Sequence, residues 1–107
     1  MKPTQAAGLI TVILCLQATA SAADWSFCIA PADADHRIFI SRPFPSIGPT
    51  AEAEFDVSLA RRHLNHEPVQ CPRADDEEGA IVMREHAVEV NRQWGRLVVD
   101  IPWRAGP

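Results

Sequence analysis

The chain has 107 residues, of which 47% are hydrophobic and 22% are charged, and its net charge is −4 at pH 7. Its one lysine is Lys2, so removal of residues 1–22 leaves nine arginines against 14 acids and a net charge of −5. This acidic balance excludes nucleic acids and anionic membrane surfaces as principal partners, because both are recognised through basic patches.

Residues 1–22 have the pattern of a secretory signal peptide. Met1-Lys2 gives a positive start, residues 9–16 (LITVILCL) are apolar, and Ala20-Ser21-Ala22 fits the small-x-small pattern that a signal peptidase requires. The apolar run is too short to cross about 30 Å of hydrocarbon as a helix, so stable membrane insertion is not expected; an uncleaved anchor is the alternative. We expect a mature chain that begins at Ala23 or Asp24 and forms one domain over residues 23–107. Its predicted location is the bacterial periplasm or the secreted fraction.

Two cysteines remain in this mature chain, Cys28 and Cys71. An exported protein meets an oxidising compartment, and a core this small gains from a covalent cross-link. Neither cysteine has a second cysteine or a histidine at ligand spacing, which argues against a thiolate metal site. We therefore predict a Cys28–Cys71 disulfide, worth roughly 4 kcal/mol by loss of chain entropy in the unfolded state.

Hydrophobic alternation predicts two strands near the start of the mature chain. Trp25, Phe27 and Ile29 share one face of the first strand, a turn follows at residues 31–35, and β-branched and aromatic residues resume over residues 36–42. These two strands are expected to form a hairpin. Residues 43–49 hold three prolines and a glycine, which excludes a helix and a central strand there.

Two helices and a last strand follow. Thr50 is a suitable N-cap for the first helix, whose narrow apolar stripe comprises Ala51, Phe55 and Leu59. After a short candidate edge strand at residues 69–72, the acidic residues 75–78 open a second helix, and Gly95 closes it in the left-handed conformation. Its apolar face is expected to comprise Ala80, Met83, Ala87, Val90 and Trp94. Residues 97–103 are the last strand. The order β-β-α-(β)-α-β predicts an α+β fold, a small two-layer sandwich with both helices on one face of the sheet and one disulfide.

Motifs that carry chemistry are sparse. His63 and His66 have a spacing found in metal sites, and Glu67 is a third candidate ligand. Because the helix is expected to end there, two exposed histidines at a helix terminus are the simpler interpretation, and we predict neither a metal nor a cofactor. No serine lies in a glycine-rich elbow and both cysteines are used by the bridge, so we predict a non-catalytic protein. A small metal-binding protein or hydrolase that uses His63 and His66 is the least favoured hypothesis.

Aromatic and loop residues are the remaining candidates for a binding site. Phe44 and Ile47 are expected to be exposed on the proline-rich loop, and such loops are typical contact surfaces. Trp25 and Trp103 stand at the two ends of the folded region, where core packing is their simplest role. If their strands are neighbours, one of them joins a surface patch that stacks on a sugar ring or on a side chain of a partner.

These observations favour a small exported protein-binding or accessory module whose partner is another envelope or secreted protein. The short strand, helix and strand of the second half are similar to bacterial cell-wall-binding modules, although the preceding elements depart from the βαβ-βαβ order of those modules. The likeness implies an alternative function, the binding of peptidoglycan or another cell-envelope glycan through the tryptophans.

Overall fold

A computed structural model of the chain describes residues 24–46 and 48–106. The predicted signal segment lies outside these residues. Within them the chain forms two helices and two small three-stranded sheets, which confirms the α+β class. The strands are β1 (Trp25–Ser26), β2 (Ile29–Ala32), β3 (Arg37–Ile40), β4 (Phe44–Pro45), β5 (Arg73–Ala74) and β6 (Leu97–Asp100). The helices are α1 (Ala51–Arg61) and α2 (Glu77–Gln93), and a 3-10 turn (Asp33–Asp35) joins β2 to β3.

The N-terminal part of the chain contributes two strands to each of the two sheets. One has the strand order β4-β1-β5 and is antiparallel, and the other has the order β2-β3-β6. The predicted hairpin is confirmed as β2 and β3, while β6 pairs with β3 in parallel. The first predicted strand is divided into β1 and β2 because the chain passes from one sheet to the other at Phe27 and Cys28, and both side chains are buried there.

The two helices cover opposite faces of the β2-β3-β6 sheet. Phe39 packs in one buried cluster with Phe55 and Leu59, so the predicted apolar stripe of α1 is confirmed. Ile38 and Ile40 alternate with Phe39 along β3 and therefore point to the other face of the sheet. α2 lies on that face, because its Arg84 donates to the carboxylate of Asp100, which is paired with Ile40 across β3 and β6 and points to the same side of the sheet. Each helix has its own face of this sheet, in contrast to the expected arrangement with both helices on one face.

The predicted ends of α2 agree with the structure. The carboxylate of Asp76 accepts a hydrogen bond from the backbone N–H of Gly79 at 2.8 Å, so the acidic run is a capped helix start. At the other end Gly95 has a φ angle of +85°, in the left-handed region that favours glycine.

The buried face of α2 differs from the predicted one. Ala80 is buried as expected, but the other buried residue of the helix is Asn91, and Met83 and Trp94 are exposed. Burial of Asn91 is possible because Arg96 donates to its side-chain oxygen at 2.8 Å and its amide donates to a backbone carbonyl of the helix at 2.8 Å. A satisfied polar side chain thus occupies a position that the apolar pattern assigns to solvent.

The predicted Cys28–Cys71 disulfide is present, with an S–S distance of 2.02 Å. Next to it, Ile29 and Gln70 exchange backbone hydrogen bonds of 2.8 and 2.9 Å. The candidate edge strand at residues 69–72 is reduced to this single bridge, and β5 follows it. Neither described helix has the length and apolar character required to cross a membrane.

Candidate binding groove

The outer surface of α1 forms one side of an open groove of about 500 Å³, and Trp103 contributes to the same groove. Helical geometry explains which residues line it, because side chains four positions apart lie above one another on a helix. One such row comprises Ala53, Val57 and Arg61, and the adjacent row comprises Glu54, Ser58 and Arg62. The opposite side of α1, with Phe55 and Leu59, is buried in the core, so the groove and the core share one helix.

Trp103 is held in place by two buried aromatic rings. Its ring centroid lies 5.7 Å from that of Phe44, at an interplanar angle of 79°, and 5.0 Å from that of Phe55. The backbone N–H of Arg42 also donates to the carbonyl of Trp103 at 3.2 Å. Because the ring is only half-buried, this support leaves part of it accessible at the groove. A rigid aromatic surface beside the exposed Val57 gives the groove an apolar wall.

The groove is polar at both ends and the two ends differ in charge. Glu54 lies at the N-terminal end of α1, where its carboxylate accepts a hydrogen bond from the Thr50 hydroxyl at 2.7 Å. At the C-terminal end, Arg62 donates to the Ser58 hydroxyl at 2.6 Å. Among the described residues, no carboxylate lies within ion-pair distance of Arg61 or Arg62. Arg61 and Arg62, which have no carboxylate partner in the part of the chain that the structure describes, therefore lie side by side in a chain with an excess of acids.

The prediction that Phe44 is exposed on the proline-rich loop and contacts a partner is wrong. This side chain is only 1% exposed, because β4 adds to the edge of β1 and turns Phe44 into the core against Trp103. Phe44 therefore supports the groove from inside and has no surface of its own to offer a partner. Ile47 lies outside the described residues.

The three tryptophans have different environments. Trp25 is half-buried in β1, between β4 and β5, whereas Trp103 follows the other sheet, so their strands are not neighbours. Trp94, which the apolar pattern of α2 assigns to the core, is 70% exposed. It lies just past the end of α2, where the guanidinium carbon of Arg96 is 5.6 Å from its ring centroid. Trp94 is thus the tryptophan most open to solvent, in a region apart from the groove.

His63 and His66 do not share a helix face, because α1 ends at Arg61 and His63 adopts a left-handed conformation with a φ angle of 59°. His66 is instead held by Asp56, at 2.6 Å from its Nε2 atom, and by the Leu64 carbonyl, at 2.9 Å from its Nδ1 atom.

The carboxylate of Glu67, the third candidate ligand, accepts a hydrogen bond from the backbone N–H of Asp33 at 3.0 Å. Over residues 24–46 and 48–106, no group of three or more histidine, cysteine or acidic side chains is placed to hold a metal ion. In this structure the side chains of His66 and Glu67 form hydrogen bonds that stabilise the loop after α1.

Sequence reasoning identifies Trp103 as a candidate but misses the rest of the groove. Arg61 and Arg62 are explained in sequence by the helix dipole alone, and Val57 lies off the apolar stripe of α1. The available signal is an apolar residue on the charged side of an amphipathic helix, followed four and five positions later by arginines. That signal identifies the groove only when Trp103, more than 40 positions further along the chain, is known to lie beside it.

Comparisons with protein-family models, with curated proteins and with solved structures give no match.

Proposed function

We propose that this chain is a small exported, non-catalytic binding module, and that the groove between α1 and Trp103 receives an acidic segment of another envelope or secreted protein. The observation that carries the proposal is the combination, in one groove, of an accessible indole, an exposed valine and two arginines that have no carboxylate partner within residues 24–46 and 48–106. Guanidinium groups recognise carboxylates through paired hydrogen bonds, and an apolar wall adds affinity for one large side chain.

The dimensions of α1 limit the size of the ligand. Ala53 and Arg61 are eight residues apart, so the row spans about 12 Å along the helix axis. An extended chain advances about 3.3 Å per residue, and the groove therefore accommodates roughly three or four residues. We expect one apolar side chain against Trp103 and Val57 and one or two carboxylates at Arg61 and Arg62.

An exported location is supported by the signal-like pattern of residues 1–22 and by the disulfide, since structural disulfides persist in oxidising compartments. In a bacterium the location would be the periplasm or the medium. A partner in the same compartment would meet the groove after export, when the disulfide has closed.

A displayed random-peptide library tests the proposal even though the partner is unidentified. We expect selection on the exported, processed protein to enrich short peptides that place one or two acids next to a large apolar residue. Val57→Asp should abolish binding of the selected peptides, because it adds negative charge to the apolar wall. The matched control is Val82→Asp, since Val82 is 58% exposed on α2, away from the groove. Binding that survives Val57→Asp and Arg61→Glu, in variants with unchanged thermal unfolding, would contradict the proposal.

Trp94 favours peptidoglycan as the alternative ligand. A tryptophan that is 70% exposed offers a stacking surface for a sugar ring. Sedimentation with purified peptidoglycan sacculi distinguishes the two functions. Co-sedimentation that Trp94→Ala abolishes and Val57→Asp leaves intact would establish the glycan function in place of the peptide groove.

A further inference from the structure

We infer that β6 pairs in antiparallel with β6 of a second copy of this chain, to give a symmetric dimer through the open edge of the β2-β3-β6 sheet. In the described part of the chain, β6 has one strand neighbour, β3, and stands at the end of the strand order. An unpaired strand edge carries free N–H and C=O groups and is a template for a further strand.

The two edges of this sheet are protected differently. Beside β2, the chain before β5 forms backbone hydrogen bonds with Ile29 and Pro31, and prolines 68 and 72 flank that segment. Proline blocks further strand addition because it has no N–H to donate. β6, with the sequence Leu-Val-Val-Asp, contains neither a proline nor a lysine. Proline, one of the common devices that prevent edge pairing, is therefore present beside β2 and absent from β6.

The parallel pairing with β3 determines which groups face the open edge. The backbone N–H of Leu97 donates to the His36 carbonyl and that of Ile101 donates to the Ile40 carbonyl, each at 2.8 Å. Because backbone groups alternate in direction along a strand, the N–H and C=O of Val98 face outward, as does the N–H of Asp100. A second strand needs such outward groups at every other residue. Two positions before Val98, the N–H of Arg96 already donates to the Asn91 carbonyl at 3.0 Å, so Arg96 offers a second strand only its C=O.

The sequence of β6 is complementary to itself about Val98. In an antiparallel pair centred on this residue, the two copies of Val98 exchange both N–H···O=C bonds, and Leu97 lies opposite Val99 of the other copy. Arg96 then lies opposite Asp100 of the other copy on both sides of the axis. Within one chain Arg96 already pairs with Asp33 at 2.8 Å and Asp100 pairs with Arg84, so the cross-strand contact would join two existing ion pairs into one network of opposite charges.

Neighbouring registers lack this complementarity. A register centred on Val99 would place Arg96 opposite Pro102, and one centred on Leu97 would place Asp100 opposite Trp94. The charge pattern thus selects the register centred on Val98.

The exposed apolar side chains lie at the same edge. Trp94 and Leu97, at 70% and 64%, have the highest exposures among the large hydrophobic residues that the structure describes. Trp94 precedes β6 by three positions, and Leu97 is its first residue. Pairing would cover Leu97 against Val99 of the second copy, which removes apolar surface from water. Because a strand of four residues contributes a small interface, we expect a weak dimer in exchange with the monomer.

Sedimentation equilibrium of the exported, processed protein from micromolar to millimolar concentration tests the inference. The expected result is a weight-average mass that rises from monomer towards dimer with concentration. Val98→Pro removes an outward N–H without touching a bond to β3, and it should leave a monomer at every concentration. Leu97→Lys should have the same effect by placing like charges across the axis, and it remains informative if the proline variant fails to fold.

Val82→Lys is the matched control, because it adds a lysine at an exposed apolar position of α2, away from the edge; it should dimerise like the unmodified protein. A protein that remains monomeric to millimolar concentration would overturn the inference. A dimer that withstands Leu97→Lys in a folded variant would overturn it equally, since the contact would then lie elsewhere.

Discussion

Removal of the Cys28–Cys71 disulfide should destabilise the domain by about 4 kcal/mol. The bridge joins positions separated by 43 residues, and the chain-entropy relation gives about 4 kcal/mol at 25 °C for a loop of this length. A domain of about 85 residues has a total unfolding free energy of roughly 4–13 kcal/mol. The bridge therefore accounts for a large share of the stability, and its loss should lower Tm by roughly 15–30 °C.

The assay is urea unfolding of the oxidised protein, the reduced protein and the variant Cys28→Ala/Cys71→Ser, followed by far-UV circular dichroism. Alanine is used at position 28 because Cys28 is fully buried, whereas Cys71 is half-buried and tolerates a serine hydroxyl. The reduced protein keeps both sulfur atoms, so its difference from the variant measures lost packing, roughly 1 kcal/mol.

Two outcomes would refute this reasoning. If oxidised and reduced proteins differ by less than about 1 kcal/mol, the unfolded chain is already restricted between the two cysteines and the loop-entropy argument does not apply. If the unreduced protein, prepared without residues 1–22, takes up two equivalents of an alkylating reagent, the bridge itself is absent in solution.

Two further perturbations test the core and a helix cap. Phe44→Ala should lower the free energy of unfolding by roughly 3–5 kcal/mol, because it leaves a cavity beneath Trp103. Thermal unfolding should therefore show a largely unfolded or strongly destabilised protein. A variant as stable as the unmodified protein would mean that Phe44 lies at the surface. Asp76→Ala should lower the free energy of unfolding in urea by about 1 kcal/mol, because the hydrogen bond from the Gly79 N–H is lost. The control is Asp75→Ala, at a residue that does not cap α2, which should change this free energy by less than about 0.5 kcal/mol, as surface substitutions usually do. Equal effects of the two substitutions would exclude the capping role of Asp76.

Local signals in the sequence are sufficient to predict most of the elements. The helix start at the acidic residues 75–78, the stop at Gly95 and the strand within residues 36–42 each depend on residues close in sequence, and each is confirmed. The division of the first strand is not predictable in this way. It depends on the pairing of β1 with β4 and β5, which come from distant parts of the chain.

The groove and the exposure of the aromatic residues depend on tertiary contacts. The prolines around Phe44 predict a surface position, and only the pairing of β4 with β1 turns this side chain inward. The period of α2 predicts Trp94 in the core, but Trp94 lies past the end of α2, and the packed face of the helix contains the hydrogen-bonded Asn91 instead. In both cases a distant or polar partner decides the outcome, and hydrophobic periodicity carries no information about such partners.

The parallel pairing of β3 with β6 has a consequence for how the chain folds. Phe39 lies beside Val99, 60 positions further along the chain, and both helices belong to the intervening segment. Contacts this remote in sequence slow folding, because a long loop must close before the pairing stabilises it. The sheet remains incomplete until residues 97–100 are available, so a chain whose synthesis has not reached these residues lacks β6. Folding to the native sheet is therefore a late event, which requires residues 97–100 to be free to pair with β3.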